Sequence, residues 1–200
     1  MISIRCRHFT VTLLLAKVEN MTKQIVILSF SGRKGGNCEQ IADFIAQNST
    51  IPVKIYRMRE QTIHMCGNCA YECFAPGKEC PHMADDERAL LEQICNSDEV
   101  YFLVPNYCGG PPAMLYAFNE RSVSYFAGHP GRLERYMNVP KKFIVVSSNQ
   151  PETFRNAFLQ HDRSAQKILW LSASAHGLQS MGTELLEVEE VQKQILQFMI

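Results

Sequence analysis

The chain has 200 residues, of which 46% are hydrophobic and 20% are charged, so its composition excludes an intrinsically disordered protein. The 20 basic residues balance the 20 acidic residues, which leaves no excess positive charge to hold a nucleic-acid backbone. No apolar run approaches the roughly 20 residues that a transmembrane helix needs. The composition therefore predicts one globular domain, with neither a nucleic-acid nor a membrane partner.

Residues 1–20 differ from the rest of the chain. A short apolar run, residues 9–16, follows Arg5 and Arg7 and faintly resembles a secretory signal, but no convincing cleavage site comes after it. The first strong strand pattern begins just after Met21, which could itself be the start of the protein. We therefore expect residues 1–20 to be an extension outside the fold and residues 21–200 to form the domain.

From Met21 onward, strand and helix patterns alternate. In chain order we predict strand 24–30, helix 38–48, strand 52–58, irregular segment 59–83, helix 85–96, strand 100–104, helix 112–125, loop 127–140 and strand 142–148. We then predict a helical region broken near 161–162 and ending at 177, a weak fifth strand within 178–186, and helix 187–199. This alternation predicts a parallel sheet covered on both faces by helices.

The loop between the first predicted strand and helix, residues 31–37 (SGRKGGN), has the composition of an anion-binding site. Its glycines let the backbone approach a ligand closely, and the start of a helix offers unpaired N–H groups and a positive dipole end. Arg33 and Lys34 add positive charge, and Ser31 and Asn37 add hydrogen-bonding groups. Because the spacing matches neither a P-loop nor G-x-G-x-x-G, the loop indicates phosphate binding without specifying a dinucleotide.

Cysteine is abundant, with eight residues in the chain, and four of them lie in the segment 59–83, which we call the cysteine loop. A disulfide scaffold is typical of small secreted domains with little core, which this chain does not resemble. Thiolates select zinc or an iron–sulfur cluster over magnesium or calcium. The spacing lacks the paired C-x2-C motifs of a zinc ribbon and favours a cluster, with zinc or free thiols as alternatives. The predicted ligands are Cys66, Cys69, Cys73 and Cys80.

A third chemical segment, residues 105–112 (PNYCGGPP), follows the third predicted strand. Tyr107 can lie against a planar ring, and the backbone at 108–110 can reach heteroatoms on the edge of that ring. A rigid turn with Tyr107 half-buried is an equally good interpretation. Open parallel sheets bind ligands at the carboxyl ends of their strands, so we expect the loops after strands one, three and four to form one site.

Taken together, the runs ILSFSGRKGGNCEQIADF, CPHMADDE and VYFLVPNYCGGPPAMLYAFNER resemble the NAD(P)H-dependent FMN reductase-like branch of the flavodoxin-like proteins. The compact four-cysteine loop between the second strand and the second helix is similar to that of iron–sulfur flavoproteins. The resemblance covers roughly residues 23–121 and, more loosely, the remainder. It implies a five-stranded parallel sheet of order 2-1-3-4-5 that binds FMN.

Individual positions carry the resemblance in the phosphate loop, where the family pattern reads S-P-R-x-x-G-N-T/S. Ser31, Arg33, Gly36 and Asn37 match that pattern, and Cys38 stands in place of the hydroxyl residue. A thiol is a weaker hydrogen-bond donor than a hydroxyl, so the backbone N–H groups are expected to contribute most of the contact to phosphate.

A second family pattern, P-V-Y-W-G, is similar to the loop after the third strand. Pro105, Tyr107 and Gly109 match it, whereas Asn106 and Cys108 depart from it. The resemblance implies these cofactor-binding residues: Ser31, Arg33, Gly36, Asn37, Cys38, Pro105, Asn106, Tyr107, Cys108, Gly109, Gly110 and Ser148.

The resemblance also implies an activity, that of a flavin-dependent oxidoreductase in which FMN and a [4Fe-4S] cluster exchange electrons with NAD(P)H or a quinone-like partner. No side chain is predicted as a dedicated acid or base. We expect a cytoplasmic homo-oligomer whose electron donor or acceptor is a small molecule or a protein. The alternatives are an NAD(P)H-dependent FMN reductase without a cluster and a zinc-stabilised flavodoxin-like module without enzymatic activity.

Overall fold

Five parallel strands form a single sheet in the order β2-β1-β3-β4-β5. The structure is a computed structural model that describes residues 23–67, 69–148 and 165–200; the predicted N-terminal extension and the predicted helix break at 161–162 lie outside the described residues. The strand order confirms the flavodoxin-like topology that the resemblance implied. The strands are β1 (Ile25–Ser29), β2 (Val53–Arg57), β3 (Glu99–Pro105), β4 (Lys141–Ser147) and β5 (Ala165–Ser172).

Helices cover both faces of this sheet, and short 3₁₀ turns occur at Met58–Glu60, Glu72–Phe74, Ala173–His176 and Glu184–Glu187. In the parts of the chain that the structure describes, no helix has the length and apolar character needed to cross a bilayer. The helices are α1 (Asn37–Asn48), α2 (Glu87–Cys95), α3 (Ala113–Phe126), α4 (Pro130–Asn138) and α5 (Glu189–Met199).

Two hydrophobic layers hold the sheet in place, because alternate residues of a strand point to opposite faces. On one face, Leu28 of β1 and Phe102 of β3 pack with residues of α2 and α3. On the other face, Ile27 and Leu103 pack with residues of α1 and α5. Strands buried on both faces appear in the sequence as continuous apolar runs, which is why β1, β3 and β4 are recognisable there.

The fifth strand lies elsewhere than the sequence analysis placed it. Over the described residues 165–177 the predicted helical region was wrong, and so was the strand within 178–186: β5 is Ala165–Ser172, and it pairs in parallel with β4. Ile168 and Trp170 face one layer, while Leu169 and Leu171 face the other. A short apolar run of this kind cannot be distinguished from part of a buried helix by periodicity alone.

A further helix, α4, occupies residues that we predicted as the loop 127–140. Gly128 adopts a φ of 70° just before the helix, and Pro130 is its first residue. Proline is tolerated in the first turn of a helix because the N–H that it lacks has no helical partner there. Gly128 and Pro130 thus mark the beginning of a helix, although the same residues are common in loops.

Candidate functional site

A cavity of about 600 Å³ opens at the carboxyl edge of the sheet, where the loops after β1, β3 and β4 meet. This sheet-edge cavity has the size of a typical small-molecule site. Every predicted cofactor residue except Gly110 lines it; their contact with a cofactor remains a prediction. The lining consists of Ser31, Arg33, Gly36, Asn37 and Cys38, then residues 105–109, then residues 146–148, and finally Ser180 and Met181.

Gly110 does not line the cavity but closes the turn in the loop after β3, which we call the β3 loop. Its N–H donates to the carbonyl of Tyr107 at 3.0 Å, and its carbonyl accepts from the N–H of Tyr107 at 2.8 Å. Between them, Cys108 and Gly109 have φ angles of 52° and 81°, as in a tight turn of the type I′ class. The turn directs Tyr107, Cys108 and Gly109 to the cavity, and all three are exposed.

The loop after β1 leads into the first turn of α1 with an open helix end. Gly36 is the N-cap residue and supplies no side-chain cap, so the N-terminal end of α1 faces the cavity without a capping group. The Ser31 hydroxyl accepts a hydrogen bond from the Arg33 N–H at 3.2 Å, and the Gly35 N–H donates to Glu39 Oε2 at 2.7 Å. These hydrogen bonds within the loop stabilise its conformation. A helix end of this kind favours an anion as its ligand.

The acidic residue in this first turn is neutralised by its neighbours. Glu39 is buried, and its carboxylate contacts the Nε atom of Arg57 at 3.5 Å and the guanidinium of Arg59. Both arginines come from the end of β2 and the turn after it. Pairing with two cations offsets the repulsion that this carboxylate would otherwise exert on a phosphate at the helix end.

Cys38 is buried at the same helix end, and its chemistry is set by that burial. Desolvation raises the pKa of the Cys38 thiol to about 12, against the opposing effect of the Arg33 charge. The thiol is therefore neutral at physiological pH. It adds no negative charge beside a phosphate, and it offers only a weak S–H donor.

The β3 loop contributes an amide whose oxygen has no protein partner. The Asn106 N–H donates to the carbonyl of Val146 at 2.8 Å, and its side-chain Nδ2 donates to the Ser147 hydroxyl at 2.8 Å. Its Oδ1 is buried and makes no hydrogen bond in the described structure. Because a buried acceptor without a partner is costly, Asn106 suits a ligand with N–H groups on its edge, such as a flavin ring.

Part of the cavity lining comes from a segment that the sequence analysis did not place at the site. Ser180 and Met181 lie in the segment after β5, in a region that we predicted as a strand. The Ser180 carbonyl accepts from Asn37 Nδ2 at 3.2 Å, and its hydroxyl lies 2.6 Å from that of Ser148. Asn37 Oδ1 also accepts from the N–H of Leu185 at 3.4 Å. The Asn37 side chain therefore joins the first loop to residues 180–185, a role that no local pattern indicates.

The cysteine loop does not present a formed metal site. Cys66 is exposed, Cys69 and Cys73 are half-buried, and Cys80 is buried. Burial raises the pKa of the Cys73 thiol, and the other three thiols raise it further, so the four groups sense one another electrostatically. Over the residues that the structure describes, however, no three His, Cys, Asp or Glu side chains are arranged to hold a metal ion. The predicted metal site is therefore not supported.

Arg121, a buried residue of α3, binds the two ends of the cysteine loop, which together we call the base of the loop. Arg121 donates from Nη1 to Asp85 Oδ2 at 3.0 Å and to the carbonyl of His64 at 3.2 Å. Its Nη2 lies 3.4 Å from the carbonyl of His82 and 3.3 Å from Glu87 Oε2. The rings of His64 and His82 stack with centroids 4.6 Å apart. The two ends of the loop thus meet at one guanidinium, an assembly that the sequence analysis did not find.

The two carboxyl groups beside Arg121 have opposite shifts in pKa. Burial acts to raise the pKa of Asp85, but hydrogen bonds from His64 and the charge of Arg121 outweigh it and lower this pKa. Burial raises the pKa of Glu87 to about 8, because Arg121 opposes it only in part and the charge of Asp85 adds to it. At neutral pH, Asp85 carries the negative charge and Glu87 is mostly protonated.

Comparison with known protein families gives one match, over residues 23–148, to the family described as NADPH-dependent FMN reductase. These residues include the loops after β1 and β3, the whole cysteine loop and, after β4, Ser148. A search of curated proteins found no match.

Solved structures share the fold at low sequence identity. The Trp repressor binding protein from Bacillus subtilis is 14% identical, with 88% of this chain and 97% of that chain covered and a TM-score of 0.58. FerB, a flavoenzyme NAD(P)H:(acceptor) oxidoreductase from Paracoccus denitrificans, is 13% identical, with coverages of 88% and 94% and a TM-score of 0.53. An FMN-dependent NADH-azoreductase from Bacillus anthracis, solved with FMN, is 8% identical, with coverages of 88% and 97% and a TM-score of 0.57.

Proposed function

Since the chain belongs to the NADPH-dependent FMN reductase family, we propose that it binds FMN in the sheet-edge cavity and transfers electrons from NAD(P)H to an acceptor. The acceptor is a small molecule of quinone-like chemistry or a protein. The observation that carries this proposal is the convergence of three loops on one cavity, with an uncapped helix end at one place and the Asn106 amide at another.

Each part of the cavity suits one part of FMN. The N-terminal end of α1 and the side chains of Ser31 and Arg33 would hold the phosphate through charge-assisted hydrogen bonds. Asn106 Oδ1 would accept a hydrogen bond from the edge of the ring, and Tyr107 would lie along its plane. When bound, FMN supplies the hydride and single-electron chemistry, while the protein supplies position and electrostatics.

Titration of flavin-free protein tests this proposal. We expect saturable binding of one FMN per chain, and binding of riboflavin at least about tenfold weaker, because riboflavin lacks the phosphate that charge-assisted hydrogen bonds would hold. Flavin fluorescence reports both affinities. The FMN-loaded protein should then oxidise NADPH or NADH when a quinone is present. Equal affinities for FMN and riboflavin would place the phosphate away from the α1 end, and absence of FMN binding would refute the proposal.

The buried thiol at the phosphate loop gives a sharper prediction. Cys38→Ser should tighten FMN binding by about threefold to tenfold, since one net hydrogen bond contributes about 0.5–1.5 kcal/mol. Cys38→Ala is the matched control, because it removes the thiol without adding a donor, and its FMN affinity should stay near that of the wild type. If Cys38→Ser and Cys38→Ala bind FMN equally well, this side chain does not contact the phosphate.

A second candidate function adds a [4Fe-4S] cluster, or a zinc ion, on Cys66, Cys69, Cys73 and Cys80. The electrostatic proximity of the four thiols supports it. The described arrangement does not form a metal-binding group, so no step of the reaction is assigned to a cluster. Iron, sulfide and zinc analysis of anaerobically prepared protein tests this candidate. If Cys69→Ser loses iron but keeps FMN, the protein has a cluster at a separate site. If the protein contains neither iron nor zinc, the flavin reductase without a metal is the function that remains.

A cytoplasmic location and a homo-oligomeric state are further parts of the proposal. All seven described cysteines are free thiols, as expected in a reducing compartment. Sedimentation of the FMN-loaded protein tests the oligomeric state, and a monomer at micromolar concentration would contradict it.

A further inference from the structure

A second cleft lies between the cysteine loop and helices α3 and α4. Its outer part encloses about 1030 Å³ and is lined by apolar side chains from both sides, among them Phe74 of the loop and Val123, Phe126 and Leu133 of the helices. Phe74 is 63% exposed, so this apolar surface is open to solvent. The outer cleft shares no lining residue with the sheet-edge cavity. The two are therefore separate sites.

The outer cleft continues into an inner chamber of about 40 Å³, which is larger than the ~15 Å³ that a buried water needs. Cys73, Lys78 and His129 line both spaces and connect them. The inner chamber reaches Glu87 and Arg121, the buried residues at the base of the cysteine loop. A compact polar head group fits in the chamber, while anything larger stays in the outer cleft.

Two residues that line the inner chamber carry hydrogen-bonding atoms that the protein does not satisfy. Arg121 and Glu87 are each 2% exposed, and both Arg121 Nε and Glu87 Oε1 are buried without a hydrogen-bond partner in the described structure. The other atoms of these side chains are engaged with Asp85, with each other and with backbone carbonyls. Buried polar groups without partners cost about 1–3 kcal/mol each, so both favour a polar ligand.

The chemistry of these two groups selects an anion. Burial raises the pKa of Glu87 to about 8, so at neutral pH Glu87 is mostly protonated and can donate a hydrogen bond. The Nε–H of Arg121 is also a donor. Two donors on residues that line one chamber match an acceptor such as a carboxylate. The titratable and charged groups facing Glu87 are Arg121 and Asp85 beside it, and Cys73, Lys78, Glu79, Arg88, Tyr125, His129 and Arg132 across the chamber.

These features describe one kind of ligand. We propose that the cleft binds an amphipathic organic anion, with its carboxylate in the inner chamber against Arg121 and Glu87 and its apolar body along Phe74, Val123 and Phe126. The positive charges of Lys78 and Arg132 at the chamber complement the head group, and the open apolar surface of the outer cleft is covered by the chain or ring of the ligand.

The proposal is tested by calorimetric titration of the purified protein with dodecanoate. FMN is present in excess, so that it occupies the sheet-edge cavity. We expect one saturable site, and at least about tenfold weaker binding of dodecanol, which lacks the charge that Arg121 would pair with. Lys78→Gln and Val123→Ser should each weaken binding by about threefold or more. Lys54→Gln is the matched control: Lys54 lies on β2, bonded to Gln93 outside the cleft, and this variant should bind as the wild type does.

The pH dependence provides an independent test that does not rely on replacing Arg121. Ionisation of Glu87 removes a donor and adds a like charge, so dodecanoate affinity should fall by up to about tenfold between pH 7 and pH 9, the limit that a pKa near 8 sets. Glu87→Gln keeps an N–H donor at every pH, and its affinity should remain constant across that range. Four results would each overturn the proposal. Two concern binding itself: absence of saturable binding, and displacement of FMN by dodecanoate. Two concern the variants: equal losses in Lys78→Gln and Lys54→Gln, and identical pH profiles for wild type and Glu87→Gln.

Discussion

Arg121→Met is expected to lower the free energy of unfolding by about 3–5 kcal/mol, the usual cost of removing one partner from a buried ion pair. The side chains of Arg121 and Asp85 are 2% and 1% exposed, so the substitution would leave the Asp85 carboxylate buried without its cation. It would also remove the contacts to the carbonyls of His64 and His82, and so release the base of the cysteine loop. Urea unfolding of flavin-free protein, followed by circular dichroism, measures the loss.

The matched control is Arg88→Met, in the same region of the protein. Arg88 contacts Glu79 at 3.6 Å, but the two side chains are 41% and 70% exposed, and surface pairs of this kind contribute about 0–1 kcal/mol. The double variant Asp85→Asn with Arg121→Met should recover part of the lost stability, because no unpaired charge then stays buried. If Arg121→Met costs no more than Arg88→Met, Arg121 does not fasten the loop.

Gly36→Asp is expected to weaken FMN binding by about a hundredfold or more, because a like charge placed beside the phosphate costs several kcal/mol. Gly36 has the extended backbone of an N-cap, and an added Cβ would meet only the Arg33 side chain, at an ordinary 3.5 Å. Aspartate would therefore fit, cap the first N–H groups of α1 and compete with the ligand for them. The same cap should make the flavin-free protein slightly more stable.

Opposite effects on stability and affinity distinguish this prediction from simple damage to the fold. Gly36→Ser is the neutral control: it caps the helix without a charge and should retain far more of the FMN affinity than Gly36→Asp. Riboflavin carries no phosphate, so its affinity for Gly36→Asp should match that for the wild type. Fluorescence titration and urea unfolding supply the two readouts. Wild-type FMN affinity in Gly36→Asp would show that the phosphate does not lie at this helix end.

The sequence predicts the parts of this fold whose signals are local. Strands β1, β3 and β4 appear as apolar runs because helices cover both of their faces, and the phosphate loop is visible because its glycines and basic residues are adjacent in the chain. The strand order came from the resemblance to a family. The edge strand β5 was missed because its apolar run is short, and α4 because Gly128 and Pro130 mark both loops and helix starts.

The sequence did not predict those parts of the site that depend on contacts between residues far apart in the chain. Arg121 meets Asp85 and two backbone carbonyls that lie 36–57 positions away, and no spacing rule connects them. Ser180 and Met181 belong to a segment with neither a glycine-rich motif nor a charge cluster. Their place at the cavity depends on the Asn37 amide, whose two hydrogen bonds could only be identified in three dimensions.

The bonds of Asn37 to residues 180–185 also mean that this pocket is completed late in translation. Asn37 and the carbonyl that it binds are 143 positions apart, so a ribosome would synthesise the first loop long before the segment that completes the pocket. Closing so long a stretch of chain costs more conformational entropy than forming local contacts does, and it is therefore slower than local folding. A nascent chain arrested before residue 180 would present an incomplete pocket, and stable capture of a flavin would have to await the C-terminal part of the polypeptide.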